Sequence, residues 1–201
     1  MVLENKLGIS DSLELARVEE KLSKEQAKII FEQDLLADKK AGTFETLSFI
    51  HMMLFQDIYG FAGQVRDVNI AKGSFRFAPV MYLSQSLAYI DSMPQSTIDE
   101  IIEKYVEMNI AHPFREGNGR SMRLWLDHIL KVEVGQVVDW SQVDKEDYLL
   151  AMERSPIRDI EIKHILKGSL TTNINSASIY MKGVDHSYSY EGYYWYRTEE
   201  L

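Results

Sequence analysis

Twelve residues concentrate most of the chemistry in this chain: His112-Pro113-Phe114-Arg115-Glu116-Gly117-Asn118-Gly119-Arg120, followed two residues on by Arg123. Gly117 and Gly119 permit positive φ and leave backbone amides bare, so a phosphate can approach the main chain. They stand just before an apolar helical pattern, where unpaired amides and the helix dipole favour an anion. Arg120 and Arg123 are three residues apart and share a helical face, which suits a clamp on two phosphates. Glu116 would repel a bound polyphosphate unless a hard cation such as Mg²⁺ lies between them, so the segment implies a metal-nucleotide complex. His112 is the one neutral-pH base in the run and can take a proton from an attacking hydroxyl. A lone glycine turn ahead of a helix is usually only a cap. The coincidence of so many committed residue types at this spacing argues for a site.

The surrounding pattern is helical. Ser23 to Gln26 has the S-x-x-Q form of a capping box ahead of Ala27, Ile30 and Phe31. Thr43 can cap a helix that carries Phe44, Leu47, Ile50, Leu54 and Ile58 and ends at Gly60. Thr97 and Glu100 form a second capping-box pair, before the helix that delivers the chain to His112. Another helix runs from about Gly119 through Trp125 and Leu130. A further one begins near Asp144 and carries Tyr148, and Ser155-Pro156 reads as an N-cap with proline in the first helical position. Between Val65 and Pro79, β-branched and aromatic residues flank Lys72-Gly73-Ser74, which is a hairpin signal. The expected fold is therefore all-α, mainly a helical bundle, with one short β-hairpin. The aromatic tail from Asp185 to Leu201 is expected to fold back onto the body, because so many aromatic residues seldom stay solvated.

With 201 residues, 45% hydrophobic and 26% charged, the chain suits one soluble globular domain, 1–201. A net charge of −9 argues against nucleic acid as a partner. No stretch approaches the roughly 20 apolar residues of a membrane span, and the acidic start lacks a signal-peptide core, so a cytoplasmic location is expected. There is no cysteine, which excludes disulfides and thiolate metal sites.

At residues 112–123 the sequence resembles the Fic family, whose signature HxFx(D/E)GNGRxxR is met at every fixed position, within a core motif spanning 105–131. The resemblance implies transfer of AMP from ATP, with Mg²⁺, to a Ser, Thr or Tyr hydroxyl of a target protein. His112 would then be the general base and Glu116 the metal ligand. Asn118 with the amides of Gly117 and Gly119 would hold the α- and β-phosphates alongside Arg120, while Arg123 would take the γ-phosphate. The hairpin, within 65–79, would be the flap that covers the nucleotide and pairs with the target's backbone, with Lys72 as a nucleotide contact. Tyr148 would either flank the adenine or belong to the core. The intact GNGR favours adenylyl transfer over the phosphorylating branch of the family.

Self-regulating relatives carry an inhibitory helix with the motif (S/T)xxxE(G/N), matched here by Ser187, Glu191 and Gly192 in an expected helix at about 186–198. The resemblance implies that Glu191 pairs with Arg123 and displaces the γ-phosphate, that Tyr188 is a self-modification site, and that Glu191 can support removal of AMP. A homo-oligomer is compatible with this reading. A nucleotide-sensing module without turnover is the competing one.

Overall fold

The computed structural model describes residues 2–73 and 75–201; Ser74, in the expected hairpin turn, lies outside the described residues. Helix α1 (Ser12–Glu32) is capped by Asp11, whose side chain accepts from the Glu14 N–H. It runs straight through the expected start at Ser23, whose hydroxyl is instead satisfied by the Glu19 carbonyl one turn back. The start was hidden because the buried face of α1 carries Glu19, Glu20 and Lys24, which interrupt the apolar period. Helix α2 (Phe44–Phe55) starts at Thr43 as expected, but gives way to turns before Gly60.

Strands β1 (Ala71–Lys72) and β2 (Phe75–Arg76) pair antiparallel, Ala71 with Arg76 and Lys72 with Phe75, which makes the expected hairpin. Helix α3 (Val80–Ser92), absent from the sequence reading, follows Pro79, and Asn69 Oδ1 accepts the Val80 N–H. Helix α4 (Ile98–Ala111) carries the full Thr97/Glu100 capping box. Helix α5 (Asn118–Val134) ends at Gly135 with φ 64°. Strand β3 (Val137–Val138) pairs antiparallel with β4 (Leu170–Thr171). Helix α6 (Lys145–Arg154) is capped by Asp144. Ser155 terminates α6, with its hydroxyl on the Met152 carbonyl, so it does not open a new helix. Helix α7 (Ile160–Gly168) begins only after Asp159. Helix α8 (Ala177–Ser189) precedes the tail. Among the described residues, no helix is long and apolar enough to cross a membrane.

The core lies where α2, α4 and α5 meet. Leu47, Ile50, Leu54, Ile101, Ile102, Tyr105, Met108, Trp125, Leu126 and Ile129 are buried there in one cluster. Each such side chain contributes on the order of 1.5–3 kcal/mol by leaving water. Trp125 also donates to the Thr43 carbonyl at 2.9 Å, which ties the start of α2 to α5. These two junctions fix the loop between α4 and α5.

The tail packs on α1 through buried charge. Glu20 accepts the Trp195 and Tyr196 amides, and Lys24 pairs with Glu20 and Asp185 at 2.9 Å each and donates to the Tyr196 carbonyl. Removing one partner of a buried pair strands the other. Lys24→Met should therefore lower the unfolding free energy by about 3 kcal/mol in a urea titration. A loss below about 1 kcal/mol would mean that the tail is not held this way.

Candidate active site

Helix α4 ends at His112 in the left-handed conformation, φ 48° and ψ 63°. Positive φ at a non-glycine residue is uncommon and is held by its surroundings. The ring nitrogen Nδ1 lies 3.2 Å from the Asn109 carbonyl. A carbonyl can only accept, so Nδ1 carries the hydrogen and Nε2 is left as a bare acceptor. Phe77, just past β2, stacks on the imidazole at 3.7 Å. Burial pushes the His112 pKa down to about 3, with the charges of Arg66 and Lys72 acting in the same direction against the bond to Asn109. The ring is thus held as a neutral base.

The loop beyond it is stapled from within. Asn118 accepts the Phe114 N–H and donates to the Phe114 carbonyl, both at 2.8 Å. The Asn118 side chain is thus committed to the loop, and its backbone amide, at the uncapped start of α5, is left without a local acceptor. Gly117 has φ 73°, and a Cβ there would overlap the Phe55 ring, so glycine is required for conformation and for space. No side chain caps α5 at Gly117, so the first amides of the helix keep no local acceptor. His51, on α2, supports the loop from below. It donates from Nε2 to the Glu116 carbonyl at 2.9 Å, accepts the Gly63 N–H at Nδ1 and stacks on Phe114 at 3.8 Å. Burial lowers the His51 pKa to about 4, so it too is neutral.

A cavity of about 960 Å³ opens over this loop, lined by His112, Glu116, Gly117, Asn118, Gly119 and Arg123, with Lys72 and Phe77 on the hairpin and Glu191 from the tail. Tyr148 lines it too, but its hydroxyl bonds the Tyr105 hydroxyl and its ring stacks on Tyr190, so it belongs mainly to the core. Glu116 Oε1 accepts the Gly117 N–H at 3.0 Å and faces Arg120 at 3.3 Å. Burial raises the Glu116 pKa, partly countered by Arg120.

Arg120, expected beside the α- and β-phosphates, is not among the residues that line the cavity. Its side chain is fully buried, ion-paired with Glu19 on α1 and with Glu116. Glu191 Oε2 lies 2.7 Å from its Nε, an ionic contact rather than an aligned hydrogen bond. The rings of Phe55, Tyr188 and Tyr193 surround it at 4.9–5.3 Å. Burial works against the charge, yet Glu191 and Glu19 hold the Arg120 pKa well above the usual value. Glu19, 101 residues away in sequence, gave no signal of this role.

Glu191 does meet Arg123, at 3.5 Å, but its closer partner is Arg120. Ser187 binds Arg123 directly, its hydroxyl accepting from Nε at 2.6 Å and its carbonyl from Nη2 at 3.0 Å. The expected helix at about 186–198 lies earlier, since α8 stops at Ser189. The Tyr193 N–H then bonds the Tyr188 carbonyl and the Gly192 N–H bonds the Ser189 carbonyl, with Gly192 at φ 91°. That is the Schellman stop, and it explains the glycine that follows Glu191. Tyr188 is buried against Lys24 and Arg120, so as a self-modification site it would require α8 to unpack. The neutral state of His112 is measurable: its ring ¹⁵N signals should stay constant from about pH 8 to about pH 5, where an ordinary imidazole protonates. Titration near the ordinary midpoint would contradict the geometry.

The model of the Fic/DOC family matches residues 42–130. The chain is 30% identical over 166 residues to the probable protein adenylyltransferase y4lH of Sinorhizobium fredii, covering 77% of this chain and 83% of that one. It is 31% identical over 159 residues to the protein adenylyltransferase VbhT of Bartonella schoenbuchensis, covering 73% of this chain but spanning only 32% of that longer protein. The fold is similar to the BepC protein of Bartonella tribocorum, solved with bound AMPPNP, at TM-score 0.68 and 19% identity over 85% of this chain and 93% of that one. The N-terminal domain of Bep8 from Bartonella sp. 1-1C gives TM-score 0.72 and 18% identity over 89% and 92%. With the family model matched across the HPFREGNGRSMR motif and the Sinorhizobium fredii relative 30% identical over 83% of its own length, the chain belongs to the Fic/DOC family.

Proposed function

We propose that this chain transfers AMP from ATP to a hydroxyl of a target protein, and that its own C-terminal segment restrains the reaction. One observation carries the reading: a neutral His112 with Nε2 free shares a cavity with the bare amides at the start of α5. The volume suits a nucleoside triphosphate. The hydroxyl oxygen attacks the α-phosphorus, the bond from that phosphorus to the bridging oxygen breaks, and pyrophosphate leaves. His112 Nε2 accepts the hydroxyl proton. The amides of Gly119 and its neighbours face the charge that develops on the phosphoryl oxygens.

Mg²⁺ fits Glu116. Among the described residues its Oε2 has no partner, and a single carboxylate with phosphate oxygens and water is a usual set for this ion. When bound, it would draw charge off the phosphates. Lys72, exposed on the hairpin, can contact them from the opposite wall. The hairpin has only two strands, so a target segment can add to an open edge.

The restraint is electrostatic. Glu191 fills the space beside Arg123 and Gly119, where a Cβ on Gly119 would lie 2.9 Å from Arg123 Nη1 and 3.1 Å from Glu191 Oε1. A γ-phosphate there meets a like charge. At about 4 Å and near-surface screening, the repulsion is about 4 kcal/mol per charge pair. Glu191→Gly should therefore raise transfer of label from α-labelled ATP to protein by between about tenfold and a thousandfold. Adding His112→Ala should return it to background. If Glu191→Gly binds ATP but labels nothing, the chain is a nucleotide-sensing module.

The position of Glu191 also favours a second direction, because its carboxylate faces the cavity that holds His112. There it could orient water toward an AMP-protein and release AMP. Incubating a purified AMP-protein with the wild type and with Glu191→Gln tests this. Release by the wild type alone supports it, and no release by either removes it.

A further inference from the structure

We infer that Arg66 is a positioning residue that joins the backbone of His112 to both legs of the hairpin through one buried guanidinium. The inference rests on the proposed transfer reaction for its kinetic consequence, but not for its geometry.

Arg66 lies between α2 and β1 and is 4% exposed. Its Nε donates to the His112 carbonyl at 2.8 Å and its Nη2 to the Ala111 carbonyl at 3.2 Å. These are orphan acceptors at the end of α4, where a cation also complements the helix dipole. Nη1 donates to the Val68 carbonyl at 2.7 Å, before β1, and Nη2 to the Ala78 carbonyl at 2.5 Å, after β2. The main chain reinforces the junction: Arg66 N–H bonds the Pro113 carbonyl at 2.8 Å and Ala78 N–H bonds the Ile110 carbonyl at 3.0 Å. Phe77, next to Ala78, is the ring that stacks on His112.

Among the described residues no carboxylate lies within ion-pairing distance of Arg66. A buried cation without a counterion is unfavourable as packing material. What it supplies is shape, since a rigid fork of donors can satisfy carbonyls from separate segments at once and so hold them in register. Lysine cannot do so, because its donors radiate from one point. Fixing the His112 carbonyl fixes the unusual backbone turn that aims the imidazole, and the same group sets where the hairpin leaves the body.

The test compares Glu191→Gly with Glu191→Gly/Arg66→Lys and Glu191→Gly/Arg66→Met. A 1 Å misplacement of a reacting group costs about 100-fold in rate. Both double variants should therefore lose on the order of 100-fold in kcat, a larger effect than any rise in KM for ATP, because the 117–123 cradle does not touch Arg66 and only Lys72 rides on the hairpin. Lysine should not rescue. Amide hydrogen exchange across 70–77 and at His112 should quicken in both, and this readout needs no activity. A kcat within about threefold of Glu191→Gly, or unchanged exchange in the lysine form, overturns the inference. If Glu191→Gly itself transfers nothing, the proposed reaction fails, and the exchange measurement alone decides the role of Arg66. If the methionine form does not fold, the lysine form carries the comparison.

Discussion

The arrangement depends on one buried guanidinium. Arg120 has a fully buried side chain and meets Glu19 from α1, Glu116 from its own loop and Glu191 from the tail. A cation in that position is tolerable only while it is paired. Glu19 is the permanent partner. Its carboxylate also accepts from the Tyr59 and Tyr193 hydroxyls, and although burial raises its pKa, Arg120 and these donors hold it below the ordinary carboxylate value. The consequence concerns Glu191. When it withdraws, Arg120 keeps Glu19, so removing the proposed restraint does not leave an orphaned charge in the core. A contact that can be lost without unfolding the protein is suited to regulation, and the redundancy around Arg120 allows that.

The part of the loop that lines the cavity works by the opposite device, donors left unmatched. Asn118 closes the loop on Phe114, His51 holds the Glu116 carbonyl, and Gly117 admits the Phe55 ring where any other residue would collide. Each of these satisfies a group that would otherwise fold inward, and the first amides of α5 are what remains. Leaving several N–H groups unpaired is unfavourable in a folded chain unless an anion or water completes them. The loop is therefore rigid where it is paired and receptive where it is not.

The glycine turn ahead of α5 and the hairpin were legible in the sequence because their determinants are local. Glycines beside Asn118, a capping box at Thr97 and β-branched residues around Lys72 declare themselves within a few positions. Two helix starts differ from the local pattern for a related reason. Ser23 and Ser155 have cap-like chemistry, but each hydroxyl is satisfied by a carbonyl of the preceding turn, and local pattern cannot tell which way a serine bonds. The roles of Glu19, His51 and Arg66 were not legible at all. Each acts on the 111–120 segment from 45–101 residues away, so only the packing of α1, α2 and the segment that follows α2 reveals them. Arg120 illustrates the limit most clearly. Its identity reads as a phosphate ligand, whereas its surroundings make it the hub that others are built on.

How the proposed restraint would be lifted follows from comparing what holds α8 with what holds Glu191. The helix is anchored by apolar burial of Val184, Tyr188 and Tyr190, by Trp140 against Gly183, and by Tyr190 stacked on Tyr148. Removing even two such side chains from their sites is unfavourable by several kcal/mol, at about 1.5–3 kcal/mol each. Glu191 itself sits past the last helical turn, and its side chain is 27% exposed. Rotating it out of the cavity disturbs two ion pairs, of which Arg120 is compensated by Glu19 and Arg123 by Ser187. Side-chain rotation is therefore the lower-energy route, and α8 can stay packed while the space beside Arg123 opens. The Schellman stop makes this workable, because α8 ends at Ser189 and the chain reverses at Gly192, which leaves the Glu191 carboxylate at a free corner between them.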